Sequence, residues 1–156
     1  IISVVLLILL VIASAVIISN IVIPFVKERL KKTSCFNLLH KLEITSNPKY
    51  TCYNFSSKNL SIQIHRGDDE DLIIGFWLVV TNSTGSKSYK IINNSQTSGI
   101  TMYDGSSTLE LPEKNEERAY IITSIGEPPK GISIYPITKE QECADIAHTI
   151  NTIPAC

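Results

Sequence analysis

No charged side chain occurs between Ile1 and Val26, while all 14 basic and 15 acidic residues of the chain come after that run. About 20 consecutive apolar residues cross a bilayer as a helix, and a helix satisfies all its backbone polar groups internally. Leu, Ile and Val dominate the run, and each favours insertion. Ser3, Ser14, Ser19 and Asn20 interrupt it. A serine in an apolar helix can return its hydroxyl to a carbonyl one turn back, so each interruption costs little. Small residues at Ala13, Ser14, Ala15 and Ser19 also let a neighbouring helix approach closely. Pro24 lacks an N–H and crowds the preceding turn, which predicts a kink or loosening near residues 20–24.

Past Val26 the helix is expected to continue. Lys27, Glu28, Arg29, Lys31 and Lys32 surround Leu30, and Phe36, Leu38, Leu39 and Leu42 follow at near-helical spacing. Pro48 would end it. Two parts result: a hydrophobic stem over 1–45 and a polar, Ser/Thr/Asn-rich domain over 46–156. The net charge of −1 gives no electrostatic footprint for nucleic acid.

Four cysteines, Cys35, Cys52, Cys143 and Cys156, contain no CxxC pair, and His40, His65 and His148 are scattered. Zinc sites need closer spacing, so disulfides in an oxidising compartment are the expected use, with free buried thiols as the plainer alternative. Four cysteines allow three connectivities. Cys35–Cys52 with Cys143–Cys156 is favoured, because each pair closes a short loop. Sequons at Asn54, Asn59, Asn82 and Asn93 fit a glycosylated outer surface. Yet four basic residues follow the apolar run and none precedes it, which for a plain anchor would keep the polar domain in the cytoplasm. A basic leader once preceding Ile1, and removed, would resolve that conflict.

From Tyr50 the period changes to alternation. Candidate strands are 50–55, 60–65, 72–80, 87–92, 107–111, 118–123 and 131–137, separated by turn-rich stretches such as Asn82–Gly85 and Tyr103–Ser106. The fold class expected is α+β: a long N-terminal apolar helix, then an antiparallel, immunoglobulin-like β-sandwich head. Ile73–Val80 is apolar throughout and reads as a central strand covered on both faces. Trp77 lies within it, so a core position is expected there rather than a carbohydrate platform. The tail after Thr138 fits either a short helix opened by a Thr138/Gln141 capping box or a final edge strand pinned by Cys143–Cys156.

Asp68–Asp71 is acidic enough for calcium but lacks EF-hand spacing. Arg66-Gly67-Asp68 spells an adhesion tripeptide of a kind that arises often by chance. No nucleophile elbow or phosphate loop is present, so no catalytic residue, cofactor or metal ligand is expected.

The segment Ile1-Ile2-Ser3-Val4-Val5-Leu6-Leu7-Ile8-Leu9-Leu10-Val11-Ile12-Ala13 resembles the start of archaeal type IV pilins after leader-peptidase cleavage. Bacterial members carry a glutamate at the fifth mature position, where this chain has Val5; archaeal members commonly lack it. The resemblance covers about the first 40 residues, and the archaeal motility filament subunits share the plan. It implies a non-enzymatic subunit of an extracellular, adhesive filament. Such a subunit is membrane-inserted before assembly, is handled by the leader peptidase and pilus assembly machinery, and then polymerises with copies of itself. The polymerisation helix would use Ile1, Val4, Val5, Ile8, Val11, Ile12, Ala15 and Ile18. The competing expectation is a single-pass, membrane-anchored ectodomain serving as a binding or envelope protein.

Overall fold

The computed structural model describes residues 2–69, 72–145 and 147–156. They form two compact units, Ile1–Asn37 and Leu38–Cys156. In the first, helix α1 (Ile2–Ile17) runs into a π-helical turn (Ile18–Val22) and then helix α2 (Ile23–Phe36). The π-turn lies where Pro24 predicts loosening. Proline cannot donate to the carbonyl four residues back, and its ring crowds that carbonyl. The ladder widens there, so that the Ile23 N–H reaches Ile18 O. Ser14 Oγ donates to Val11 O at 2.8 Å, the back-bond expected of a serine in an apolar helix.

Helix α2 stops at Phe36, short of the expected run to Pro48. A turn over 37–41 takes His40 to a φ of 62°, and Leu42–Thr45 is strand β1. Leu38, Leu39 and Leu42 satisfy a helical period, but Leu42 and Ile44 also satisfy a period of two. Pairing with the head's sheet decides between them, burying Leu42 and Ile44 on one face.

The second unit is a sandwich of two antiparallel sheets. One sheet has the order β1–β3–β7–β6, built from Leu42–Thr45, Asn59–Arg66, Glu116–Ile122 and Ile100–Met102. Strand β2 (Cys52–Asn54) pairs with β3 beyond β1, so β1 and β2 act as one interrupted edge strand. The other sheet has the order β5–β4–β8–β9: Ser86–Ile92, Ile73–Thr81, Gly131–Thr138 and His148–Ile150. With β1 and β2 counted as strand A, the two sheets are A-B-E-D and C′-C-F-G, the immunoglobulin-like order.

The core lies between the sheets. Leu60, Ile62, Ile64, Tyr120 and Ile122 from one face Phe76, Leu78, Ile91, Ile132 and Ile134 from the other, all fully buried. Burial of each such side chain is worth about 1.5–3 kcal/mol. Phe76 and Tyr120 meet edge to face with centroids 5.8 Å apart. The Tyr120 hydroxyl donates to Glu110 O at 2.6 Å, and burial pushes its phenol well above the usual range. Where β4 bulges between Ile73 and Gly75, a Cβ on Gly75 would stand 2.6 Å from Ile91 O. The backbones pass too closely there for any side chain.

Several expectations need correction. No strand forms over 107–111; only a Ser95–Leu109 bridge occurs, although Leu109 and Leu111 are buried. Strand β6 was hidden in a turn-rich stretch by its three-residue length. Strand β4 is central but not equally covered. Phe76, Leu78 and Val80 point into the core, while Trp77 and Val79 are half-buried on the outer face. Thr138 Oγ1 accepts from the Gln141 N–H at 3.1 Å, yet a tight turn follows instead of a helix. The tail then adds edge strand β9 beside β8.

The favoured cysteine pairing is overturned as well: Cys52 is bonded to Cys156, across a sequence separation of 104. The tail returns beside β2, where Tyr53 N–H donates to Pro154 O (2.9 Å) and Cys156 N–H to Tyr53 O (3.1 Å). That clamp puts the C-terminal sulfur against Cys52. Cys35 and Cys143 are disulfide-bonded too, and no cysteine is free.

Candidate functional site

The helix surface is the largest feature that a folded protein would have to cover. Ser3–Arg29 is one helical stretch of 27 residues with a mean hydropathy of 3.0 in its most apolar window, none of it buried. At 1.5 Å per residue it is about 40 Å long, more than the roughly 30 Å hydrocarbon core of a bilayer. Of the expected polymerisation residues, Ile1 lies outside the described residues. Val4, Val5, Ile8, Val11, Ile12, Ala15 and Ile18 fall at spacings of three and four, so they form one stripe along α1 and the π-turn.

That stripe is not distinguished from the rest of the surface. Ile8 is 52% exposed, and Leu10, on another side of the helix, is 65% exposed. Leu6, Leu7, Leu9 and Ile17 are comparably open. A helix apolar on every side needs apolar surroundings on every side. Lipid and a bundle of like helices both supply them; a single docking groove does not. The sequence therefore locates the segment but not a face, because its Leu, Ile and Val residues leave no polar side to read.

On the head, Asn54 and Asn59 stand opposite each other in the β2–β3 hairpin. Asn54 is exposed, and its Oδ1 accepts from Ser56 N–H (2.9 Å) and Ser57 N–H (3.1 Å). Asn82 opens the β4–β5 hairpin, its Oδ1 accepting from the Thr84 and Gly85 amides and from Thr84 Oγ1 at 2.9–3.0 Å. Asn93 is exposed after β5, with Oδ1 accepting from Leu111 N–H at 3.1 Å. In each of these the carbonyl end of the amide is engaged. The structure brings Asn54 and Asn59 together on one edge and leaves Asn82 and Asn93 on other loops.

The adhesion tripeptide is dismantled by the fold. Arg66 is buried, its guanidinium donating to both carboxylate oxygens of Asp69 (2.9–3.2 Å) and to Pro112 O (3.2 Å). Asp69 in turn accepts from the Ile73 N–H at 2.9 Å. This pair fastens the β3–β4 connection to the loop before β7 and leaves Arg66 out of reach of a partner. Glu70 and Asp71, half of the acidic run, lie outside the described residues. Among those described, no three His, Cys, Asp or Glu side chains converge as metal ligands.

The histidines do not assemble into a site. His40 pairs with Glu43 at 3.0 Å, and His65 lies 3.9 Å from Glu117. His148 does something the sequence did not reveal: its Nδ1 accepts the Ile44 N–H at 3.1 Å, tying β9 of one sheet to β1 of the other. Only the topology puts these residues, 104 apart in sequence, side by side.

No protein-family model matches this chain, and neither a curated protein nor a solved structure matches it. The architecture itself is pilin-like, a long apolar N-terminal helix followed by antiparallel β-sheets. An apolar helix joined to a disulfide-bonded β domain is the make-up of an extracytoplasmic protein, inserted in a membrane or secreted.

Proposed function

We propose that this chain is the structural subunit of an extracellular, type IV pilus-like filament, polymerised through its N-terminal helix and serving surface adhesion. One observation carries the reading: the helix is apolar and exposed around its whole circumference. In lipid such a helix is stable as a monomer. On assembly it exchanges lipid for neighbouring stems, a nearly even hydrophobic trade, so that close packing of Ala, Ser, Val and Ile must drive association. Repeated heterologous contacts then propagate as an open helix. The head faces solvent with its hairpins and loops glycosylated at Asn54, Asn59, Asn82 and Asn93. The subunit acts by assembling, not as an enzyme. Its partners are other copies of itself, the membrane before assembly, a leader peptidase and the assembly machinery.

Electron microscopy of native material without detergent tests this directly. Thin filaments with parallel helices at their centre are expected. Detergent-dependent monomers alone would favour the single-pass anchored ectodomain. Ile8→Lys adds a quantitative arm. A lysine at the centre of an apolar span disfavours its insertion into the membrane, relative to isoleucine, by about 3–4 kcal/mol, or roughly 150- to 1000-fold. In a core of like helices its ammonium meets no opposite charge, since residues 1–26 carry none. Filaments should vanish while the Leu38–Cys156 unit keeps its melting temperature. Normal filaments from this variant would sink the proposal.

A further inference from the structure

The outer face of the β5–β4–β8–β9 sheet carries a cavity of about 280 Å³ whose lining residues all belong to the second unit and include none of the sequon asparagines. Its floor is Trp77, Val79 and Tyr135, with Cys143, Ala144 and Glu142 from the loop after β8 along one side and Ser88 on the other. Trp77 and Tyr135 are direct cross-strand neighbours, so two aromatic side chains stand adjacent on the outward face. Lys90, also opposite Trp77, places its ammonium 5.3 Å from the indole centroid and 2.8 Å from Glu142 Oε1. The Lys90 bond, and after it one from the Trp77 indole, holds the Glu142 carboxyl below the usual carboxylate range.

This outward placement removes the reason for treating Trp77 as core. A floor of rings and a valine asks for an apolar face on the ligand. The rim asks for hydroxyls: the Glu142 carboxylate and the Ser88 hydroxyl line it, and the Lys90 ammonium is bonded to Glu142 beside it. Lys90 and Glu142 cancel each other's charge, so neither an anion nor a cation gains from entering. The volume lies just below the range for ligand pockets, about 300–1,000 Å³, which suits a single ring and nothing larger. A fatty chain or a bare aromatic ring would use only the floor.

We propose that this cavity binds a neutral saccharide ring, with Trp77 and Tyr135 as the stacking floor and the Lys90–Glu142 pair as the hydroxyl-binding rim. This adds a ligand site to the head and stands whether or not the helix polymerises.

Trp77 is the chain's only tryptophan, so its fluorescence reports this site without labelling. The full-length chain, in filaments or detergent, is titrated with neutral methyl hexosides and N-acetylhexosaminides. Methyl hexuronides, sialosides and phenylalanine amide are titrated in parallel. A saturable change with at least one neutral glycoside is expected. Tyr135→Ala and Glu142→Gln should each weaken it about tenfold, the equivalent of about 1.4 kcal/mol, with unchanged thermal unfolding. Should Tyr135→Ala unfold the head, Glu142→Gln, at a solvent-exposed carboxylate, carries the test alone. Four outcomes overturn the proposal: no saturation by any neutral glycoside, saturation by anionic glycosides only, equal or tighter binding of phenylalanine amide, or unchanged affinity in the folded variants.

Discussion

The Cys52–Cys156 bond gives the sharpest test of the head. It joins the second strand of the edge to the last residue, 104 positions apart, and so closes nearly the whole head sequence into one loop. Cross-linking a loop of that size removes denatured-state entropy worth about 4.7 kcal/mol, against about 3 kcal/mol for the short loops favoured from sequence. A domain of this size shifts its midpoint by about 4 °C per kcal/mol, so Cys52→Ser with Cys156→Ser should lower the melting temperature by roughly 15–20 °C. Two backbone hydrogen bonds still hold the tail on β2 in the double variant, so the fold should survive the loss. Differential scanning calorimetry of oxidised wild type and double variant measures the shift. Non-reducing digestion with mass spectrometry of the wild type should recover a Cys52–Cys156 peptide pair. A shift below about 5 °C would mean that the cross-link does not constrain the denatured chain as reasoned. Recovery of a Cys143–Cys156 pair would refute the connectivity itself.

Four further substitutions probe the frame of the head. Asp69→Ala removes the partner of a buried guanidinium and an acceptor for the Ile73 N–H, and should cost about 3–5 kcal/mol in chemical denaturation. Gly75→Ala drives a Cβ onto Ile91 O and should destabilise by about 2 kcal/mol or more, whereas Gly105→Ala, with open space around it but a φ of 90°, should cost about 1 kcal/mol. The Glu116 carboxyl is held below its ordinary value of 4.5, first by the Glu113 N–H at 2.7 Å and then by Arg118. Its contribution to stability is therefore present above pH 4.5 and is lost as the pH falls below that value. Glu116→Gln should flatten that acid limb of the pH–stability curve; an unchanged limb would show that Glu116 plays no part in it.

What was legible in the sequence follows from how local each signal is. The apolar helix, the loosening before Pro24 and the Asn82–Gly85 hairpin turn depend on a few adjacent residues, and each stands where it was expected. Strands β3, β4, β5, β7 and β8 are long enough for alternation or apolar content to mark them. Strands β1 and β6 are not: four and three residues fit several periods, and only their partners in the sheet decide. The cysteine pairing failed for the same reason. Short-loop closure is a local preference, and it was overridden by a tail that the sandwich brings back to its first edge.

Trp77 shows how the same limit hides a candidate site. An unbroken apolar strand gives no alternation to say which residues face out, so the aromatic residue on its outer face read as core. The outward assignment comes from register: Trp77 lies opposite Tyr135 on one side and Lys90 on the other. Neither Tyr135 nor Lys90 stands out in the sequence, and Glu142 joins them only because the chain folds back after β8 so that Ile137 bridges to it. On the helix the ambiguity runs the other way. There an unbroken apolar run means what it says, because no side of Ser3–Arg29 is covered, and a stripe chosen by spacing is one among equals. A charged residue on any side of α1 should therefore impair assembly as Ile8→Lys does. If Leu10→Lys left filaments intact while Ile8→Lys abolished them, the helix would be docking by one face, and the all-round bundle would have to be abandoned.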